Sequence, residues 1–294
     1  MRLRTPACLL RLLAAGMLLA GCSGGVATTS LTATPRPTAP TPTPLRTPQA
    51  GATGIVPVAG HAPVGSQPWY LAVGDSVTSG FTLDPSRAGV NSAWALQLQP
   101  LLAASGRDWS LYDTACPSER TATYFTLCPG RASVPFLATT SQHDAAMAAI
   151  TAHRATLKAI FVDLGSNDLL DGERHGSTVA QMSAALTTAL TRVVTELRGA
   201  APSVPVILCN FYDPFANLQP ATRAQLVQVN ATVAAVARAT GAHLADFYSA
   251  IDTSTAVPDP SLCTYVDCAH GDVHPTVAGH ARLAAAALAA LNAA

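Results

Sequence analysis

The apolar segments of this chain are continuous rather than alternating, and that restricts the folds open to it. Residues 70–73, 159–164, 204–209 and, more weakly, 243–247 each read as a strand, with 109–112 as a further candidate. A strand apolar on both sides needs cover on both faces, which is the pattern of parallel sheets inside α/β proteins. Helical patterns separate these runs at 92–104, 144–156, 179–197, 220–240 and 275–292. Alternating strand and helix predicts crossover connections and a three-layer α/β/α sandwich with a parallel sheet of about five strands. In such sheets functional residues collect in loops beyond the carboxyl ends of the strands.

Three polar residues have that expected placement. Ser76 follows the first strand on a glycine-flanked turn, Gly74-Asp75-Ser76. Asn167 follows the second apolar run in Gly165-Ser166-Asn167-Asp168. His274 precedes the last helix in Asp272-Val273-His274-Pro275. A serine hydroxyl becomes a useful nucleophile when a neutral imidazole takes its proton, and an amide N–H can hold the oxyanion that forms. Each residue alone also has an ordinary reading: Ser76 as a helix cap, Asn167 as a turn residue, His274 as a surface histidine. His270 and His280 are rival bases. His280 falls inside the predicted helix, and His270 lacks the following proline.

The first 67 residues are of a different kind. Arg2, Arg4 and Arg11 precede an apolar run at 12–19, too short to cross a bilayer, and 1–21 reads as a signal segment. Leu19-Ala20-Gly21-Cys22 resembles a bacterial lipobox, which implies a lipid-modified Cys22 and attachment to the outer face of a membrane. Plain cleavage and secretion is the alternative. Residues 22–67, rich in Thr, Pro and Ala, form a spacer with little that could build a core. The globular domain is then 68–294. Net charge is zero and only 12% of residues are charged, so no basic surface for nucleic acid is expected. In an exported chain the cysteines can pair. Cys116 with Cys128 and Cys263 with Cys268 close the shortest loops and leave Cys209 as a buried thiol. The spacings match no zinc motif.

Gly74-Asp75-Ser76, Asn167 in its Gly165–Asp168 block and His274 in Asp272–Pro275 resemble, in order, three blocks of the GDSL, or SGNH, hydrolase family. The resemblance spans essentially Trp69 to Ala294. It implies a flavodoxin-like fold, carboxylic ester hydrolysis, Ser76 as nucleophile, His274 as base and Asn167 as oxyanion donor. No metal or organic cofactor is implied. Ala115-Cys116-Pro117-Ser118-Glu119-Arg120-Thr121 is similar to the remaining block, with Ser118 where the family has a glycine that donates its backbone N–H. A serine there is strained if the turn needs positive φ. Many members carry an aspartate three positions before the histidine, where this chain has Gly271. Asp272, two before, or a backbone carbonyl would orient His274 instead. Aromatic residues Tyr124, Phe125 and Phe215 either line an acyl pocket or pack loops. The implied partner is a small-molecule, lipid or glycan ester. A carbohydrate O-acetyl esterase and a non-catalytic envelope-binding lipoprotein are the competing functions.

Overall fold

The structure is a computed structural model that describes residues 66–84, 86 and 92–294. The signal segment, Cys22 and nearly all of the spacer lie outside the described residues. Five strands form one parallel sheet: β1 (Trp69–Gly74), β2 (Ser110–Asp113), β3 (Leu157–Asp163), β4 (Val206–Cys209) and β5 (His243–Ala245), in the order β2-β1-β3-β4-β5. Among the described residues eight α-helices accompany them: α1 (Trp94–Ala104), α2 (Gln142–His153), α3 (Ser166–Arg174), α4 (Val179–Ala200), α5 (Pro220–Thr240), α6 (Phe247–Ile251), α7 (Leu262–Tyr265) and α8 (Val277–Asn292).

Both faces of the sheet are covered, as continuous apolar strands demand. Leu71 and Val73 of β1, Ile160 and Val162 of β3, and Val206 and Leu208 of β4 pack against buried residues of α2, α4 and α5. The alternate residues Tyr70, Ala72, Phe161 and Ile207 pack against α1, α6 and α8. Phe161 lies between Tyr70 and Trp94, with ring centroids 6.0 and 5.7 Å away. Truncating an aromatic ring held this way costs about 3–5 kcal/mol.

Local signals set the helix ends. Ser141 caps α2 through the Asp144 N–H, and Thr178 with Gln181 forms a capping box on α4. Pro220 stands in the first turn of α5, and Thr276 caps α8. No helix among the described residues is long and apolar enough to cross a membrane.

The expected elements are present with two adjustments. The strand expected at 243–247 stops at Ala245, because Asp246 caps α6 through the Ser249 N–H. Asn167, expected in a loop, lies in the first turn of α3. The short helices α3, α6 and α7 were not legible as helical patterns, each being under three turns.

Strand order reverses between β1 and β3, which lie side by side while their outgoing connections lead to opposite edges of the sheet. A crevice opens at such a switch point. Ser76 leaves the end of β1 and Ser166-Asn167 leaves the end of β3, so both reach this crevice.

Candidate active site

Gly74 ends β1, and its lack of a side chain lets the next turn fold tightly. A Cβ there would sit 2.2 Å from Thr78 Oγ1. Residues 76–80 form a single turn closed by Ser79 N–H to Asp75 O and Phe81 N–H to Ser76 O. A regular helix next appears, among the described residues, only at α1. Ser76 therefore sits on a turn rather than at the start of the helix the sequence suggested. Its amide and hydroxyl donate no hydrogen bond among the described residues.

Ser76, Ser118, Asn167 and His274 border one cavity of about 730 Å³. Asp272 is buried behind the histidine. His274 Nδ1 is 2.5 Å from Asp272 Oδ1, whose second oxygen accepts the Leu83 N–H at 2.9 Å. Burial works against the Asp272 charge, but the hydrogen bonds and charge of His274 and the Leu83 N–H outweigh it and hold its pKa below the ordinary value. The loop is fixed from several sides. His274 O accepts the Asp267 N–H at 3.0 Å, Val273 O accepts the Tyr212 hydroxyl at 2.8 Å, and Phe81 packs on the imidazole at 5.1 Å between ring centroids.

The aspartate stands two positions before the histidine, and the position three before it is a glycine. Gly271 adopts φ 61° as the C-cap of a short 3-10 turn, a left-handed position poorly suited to other residues. The rival histidines go elsewhere. His280 is buried in α8, where its Nδ1 accepts the Trp94 N–H at 3.2 Å. His270 pairs with Asp267, 2.8 Å away.

Asn167 is held from two directions. Its side-chain N–H groups donate to Asp75 Oδ2 at 3.1 Å and to Glu119 O at 3.0 Å. The same Asp75 oxygen accepts the Ser166 hydroxyl, while Oδ1 accepts the Val77 N–H at 2.9 Å. Asp75 is thus a hub joining the serine turn to the asparagine helix, a role its sequence position suggests only as a turn or cap. Burial raises its pKa, partly offset by Ser166, Val77 and His274.

Ser118 has φ 63°, so the serine does occupy a left-handed turn. Its turn is tied down by the Cys116–Cys128 bridge, with Cα atoms 6.4 Å apart. Asp168 adds two hydrogen bonds, accepting the Thr121 N–H at 2.9 Å and the Thr121 hydroxyl at 2.6 Å, and Arg120 pairs with Asp171 at 2.6 Å. Asp168 therefore binds the 115–121 block to α3. Cys263 and Cys268 are bridged as well, and Cys209 is a buried thiol.

A buried acid layer supports the site and was not foreseen. Burial pushes Asp163 up to about 8, and Glu119 and Asp113 to about 7. Asp163 accepts from Thr78 Oγ1 at 2.8 Å and Trp94 Nε1 at 3.3 Å. Gln142 bridges Gly74 and Glu119. Nothing in a single sequence marks Gln142 for this. Cys116, Glu119 and Cys128 cluster closely, but the two sulfurs are joined to each other.

One wall of the cavity is apolar: Leu169, Met182, Phe211, Phe215, Leu226 and Val229. Phe215 lines it as one of the two sequence readings had it. Tyr124 and Phe125 pack instead against each other and His143.

A flavodoxin-like sheet with serine, asparagine and histidine around one cleft at its switch point defines the SGNH hydrolase class. Residues 72–282 match the GDSL-like Lipase/Acylhydrolase family, and the chain belongs to that family. It is by class a carboxylic ester hydrolase. No curated protein matches the sequence. Solved structures share the fold at low identity, among them the following three. The lipase Lip_vut3 from a goat rumen metagenome is 18% identical, with TM-score 0.54, over 76% of this chain and 97% of that one. Axe2, an acetylxylan esterase from Geobacillus stearothermophilus, is 20% identical, with TM-score 0.52, over 77% and 95%. LAE5, an alpha/beta hydrolase enzyme from the metagenome of Lake Arreo, is 19% identical, with TM-score 0.51, over 81% and 98%.

Proposed function

We propose that the chain hydrolyses acyl esters by a two-step serine mechanism. His274, oriented by Asp272, takes the Ser76 proton as Ser76 Oγ attacks the ester carbonyl. The Ser76 and Ser118 backbone N–H groups and the Asn167 side chain hold the oxyanion, and each such donor is worth about 3 kcal/mol in the transition state. The imidazolium then protonates the leaving alcohol. Water, deprotonated by His274, releases the acid and restores Ser76.

The observation that carries this reading is the shared cavity bordered by Ser76, Ser118, Asn167 and His274, with Asp272 hydrogen-bonded behind the imidazole. Asn167 must redirect one N–H from Asp75 or Glu119, or share it, to reach the oxyanion. None of the hydrogen bonds of the described residues joins Ser76 to His274, and catalytic contacts of this kind commonly tighten only when substrate binds.

The apolar wall favours an ester with an apolar acyl chain over an acetyl group alone. We further propose export and lipid attachment at Cys22, with residues 22–67 as the spacer from the membrane. The test is labelling with a fluorophosphonate together with turnover of p-nitrophenyl esters of increasing chain length. The reading expects an adduct on Ser76 and activity that rises beyond acetate. A folded protein without adduct or turnover would mark it as a binding protein. Replacing Cys22 by Ala should move the chain from membrane fraction to medium.

A further inference from the structure

Two aspartate–histidine pairs stand side by side in this protein. Asp272 and His274 serve the cleft, whereas Asp267 and His270 do not border it. The second pair nevertheless reaches the first by a different route. His270 Nδ1 lies 2.8 and 2.9 Å from the two Asp267 oxygens, and its Nε2 is 3.9 Å from Asp84 Oδ1. Asp84 directly follows Leu83, whose N–H is the backbone donor to Asp272 Oδ2 at 2.9 Å. The segment 82–84 is thus held to the histidine loop at two neighbouring points, one on each pair.

The two ring nitrogens explain why charge matters. A neutral His270 satisfies Asp267 with Nδ1–H and turns an Nε2 lone pair toward the Asp84 carboxylate. A protonated ring attracts both carboxylates. The charged groups facing the ring are Asp267, Asp84 and Asp272, and all three favour the proton. The hydrogen bond from Asp267 is the largest cause of a pKa raised above the ordinary histidine value. A half-exposed ion pair of this length contributes little to stability, so its consequence lies in placement.

We propose that His270 is a positioning residue for the Asp272–His274 pair, acting through Asp84 and the Leu83 N–H. This rests on the esterase reading above. The tie holds while the carboxylates are ionised and the ring is protonated, and it is lost as pH rises through the raised pKa of His270. His274 needs the opposite state, a neutral imidazole. Activity should therefore fall as pH rises and His270 loses its proton.

The test uses the full chain and His270→Gln, with Asp84→Asn as a second variant. At neutral pH, kcat on a soluble ester should fall about five-fold with KM little changed, a modest share of what misplaced catalytic groups can cost. The decline expected of wild type as His270 loses its proton should be absent from both variants, and the double variant should lose no more than either single one. A His270→Gln enzyme with wild-type kcat and pH profile overturns the proposal. Fluorophosphonate labelling of wild-type Ser76 checks the esterase reading separately. If that fails, amide hydrogen exchange at Leu83 decides: exchange at least ten-fold faster in His270→Gln supports the tie, and equal exchange at matched pH overturns it.

Discussion

Asp75 and Asn167 are separated by 92 residues and joined by one hydrogen bond, the Asn167 side-chain N–H donating to Asp75 Oδ2 at 3.1 Å. Through it the turn that carries Ser76 fixes the side chain proposed to meet the oxyanion. Asp75→Ala would leave the Ser166 hydroxyl, the Asn167 amide and the Val77 N–H without their shared acceptor. We expect kcat to drop at least ten-fold with KM nearly constant, because the lost order affects the transition state more than ester binding. Asn167→Ala should cost more, about 10²–10³ in kcat, as expected for an oxyanion donor. Steady-state kinetics on one soluble ester checks both, and equal kcat for Asp75→Ala and wild type would remove Asp75 from the site.

Ser118 tests how the turn tolerates a side chain. At φ 63° a Cβ is strained, and a β-branched one more so. Stability should follow Gly, then Ser, then Val, with Ser118→Val at least about 1 kcal/mol below wild type, or roughly 2–4 °C in Tm for a domain of this size. The backbone N–H survives in all three, so Ser118→Gly should keep its activity. Thermal denaturation beside an activity assay reads the two effects separately.

The fold and the core of the site were legible in the sequence for a physical reason. Short continuous apolar runs such as 159–162 suit buried strands, and Ser76, Asn167 and His274 stand next to strand or helix ends that glycine, proline and threonine mark. The Asp272–His274 contact was readable as one of two options because two residues of separation leave the carboxylate in reach. What joins these pieces was not readable. Asp75 to Ser166, Asp168 to Thr121 and Gln142 to Gly74 are long-range polar contacts without periodicity or local propensity. Their partners become neighbours only when β1 and β3 pair and the 115–121 turn folds over α3. Helix α3 escaped notice because its nine residues are amphipathic in too short a window and none is fully buried.

The two bridges should differ in what they protect. Cys116–Cys128 encloses Ser118, whereas Cys263–Cys268 lies before the Asp272–His274 segment. Loop-closure entropy gives about 2–3 kcal/mol for bridges of these lengths, slightly more for the first. Replacing Cys116 and Cys128 by Ser should lower Tm and, by freeing the left-handed turn, lower kcat. Replacing Cys263 and Cys268 should lower Tm with a smaller effect on kcat. Comparison of the two double variants checks this, and unchanged melting in both would dismiss the bridges as stabilising elements.

The buried acids set the pH dependence of stability. Asp163, with a pKa of about 8, and Glu119 and Asp113, at about 7, all lie above their unfolded values. Each binds its proton more tightly folded than unfolded, so its stabilising effect is complete below the unfolded carboxylate pKa, near about 4, and is lost as pH rises through 7 to 8. Asp272 has the opposite sign: its pKa is lowered, so its contribution is present above the unfolded value and fades only as pH falls through the folded one, at the acid extreme. Stability should therefore peak in mildly acid solution and decline toward pH 8. Asp163→Asn keeps an oxygen to accept from Thr78 and Trp94 but cannot ionise, so it should flatten that decline. Denaturant unfolding at a series of pH values measures the slope directly, and an Asp163→Asn slope equal to wild type would mean that this carboxyl does not ionise during folding in that range.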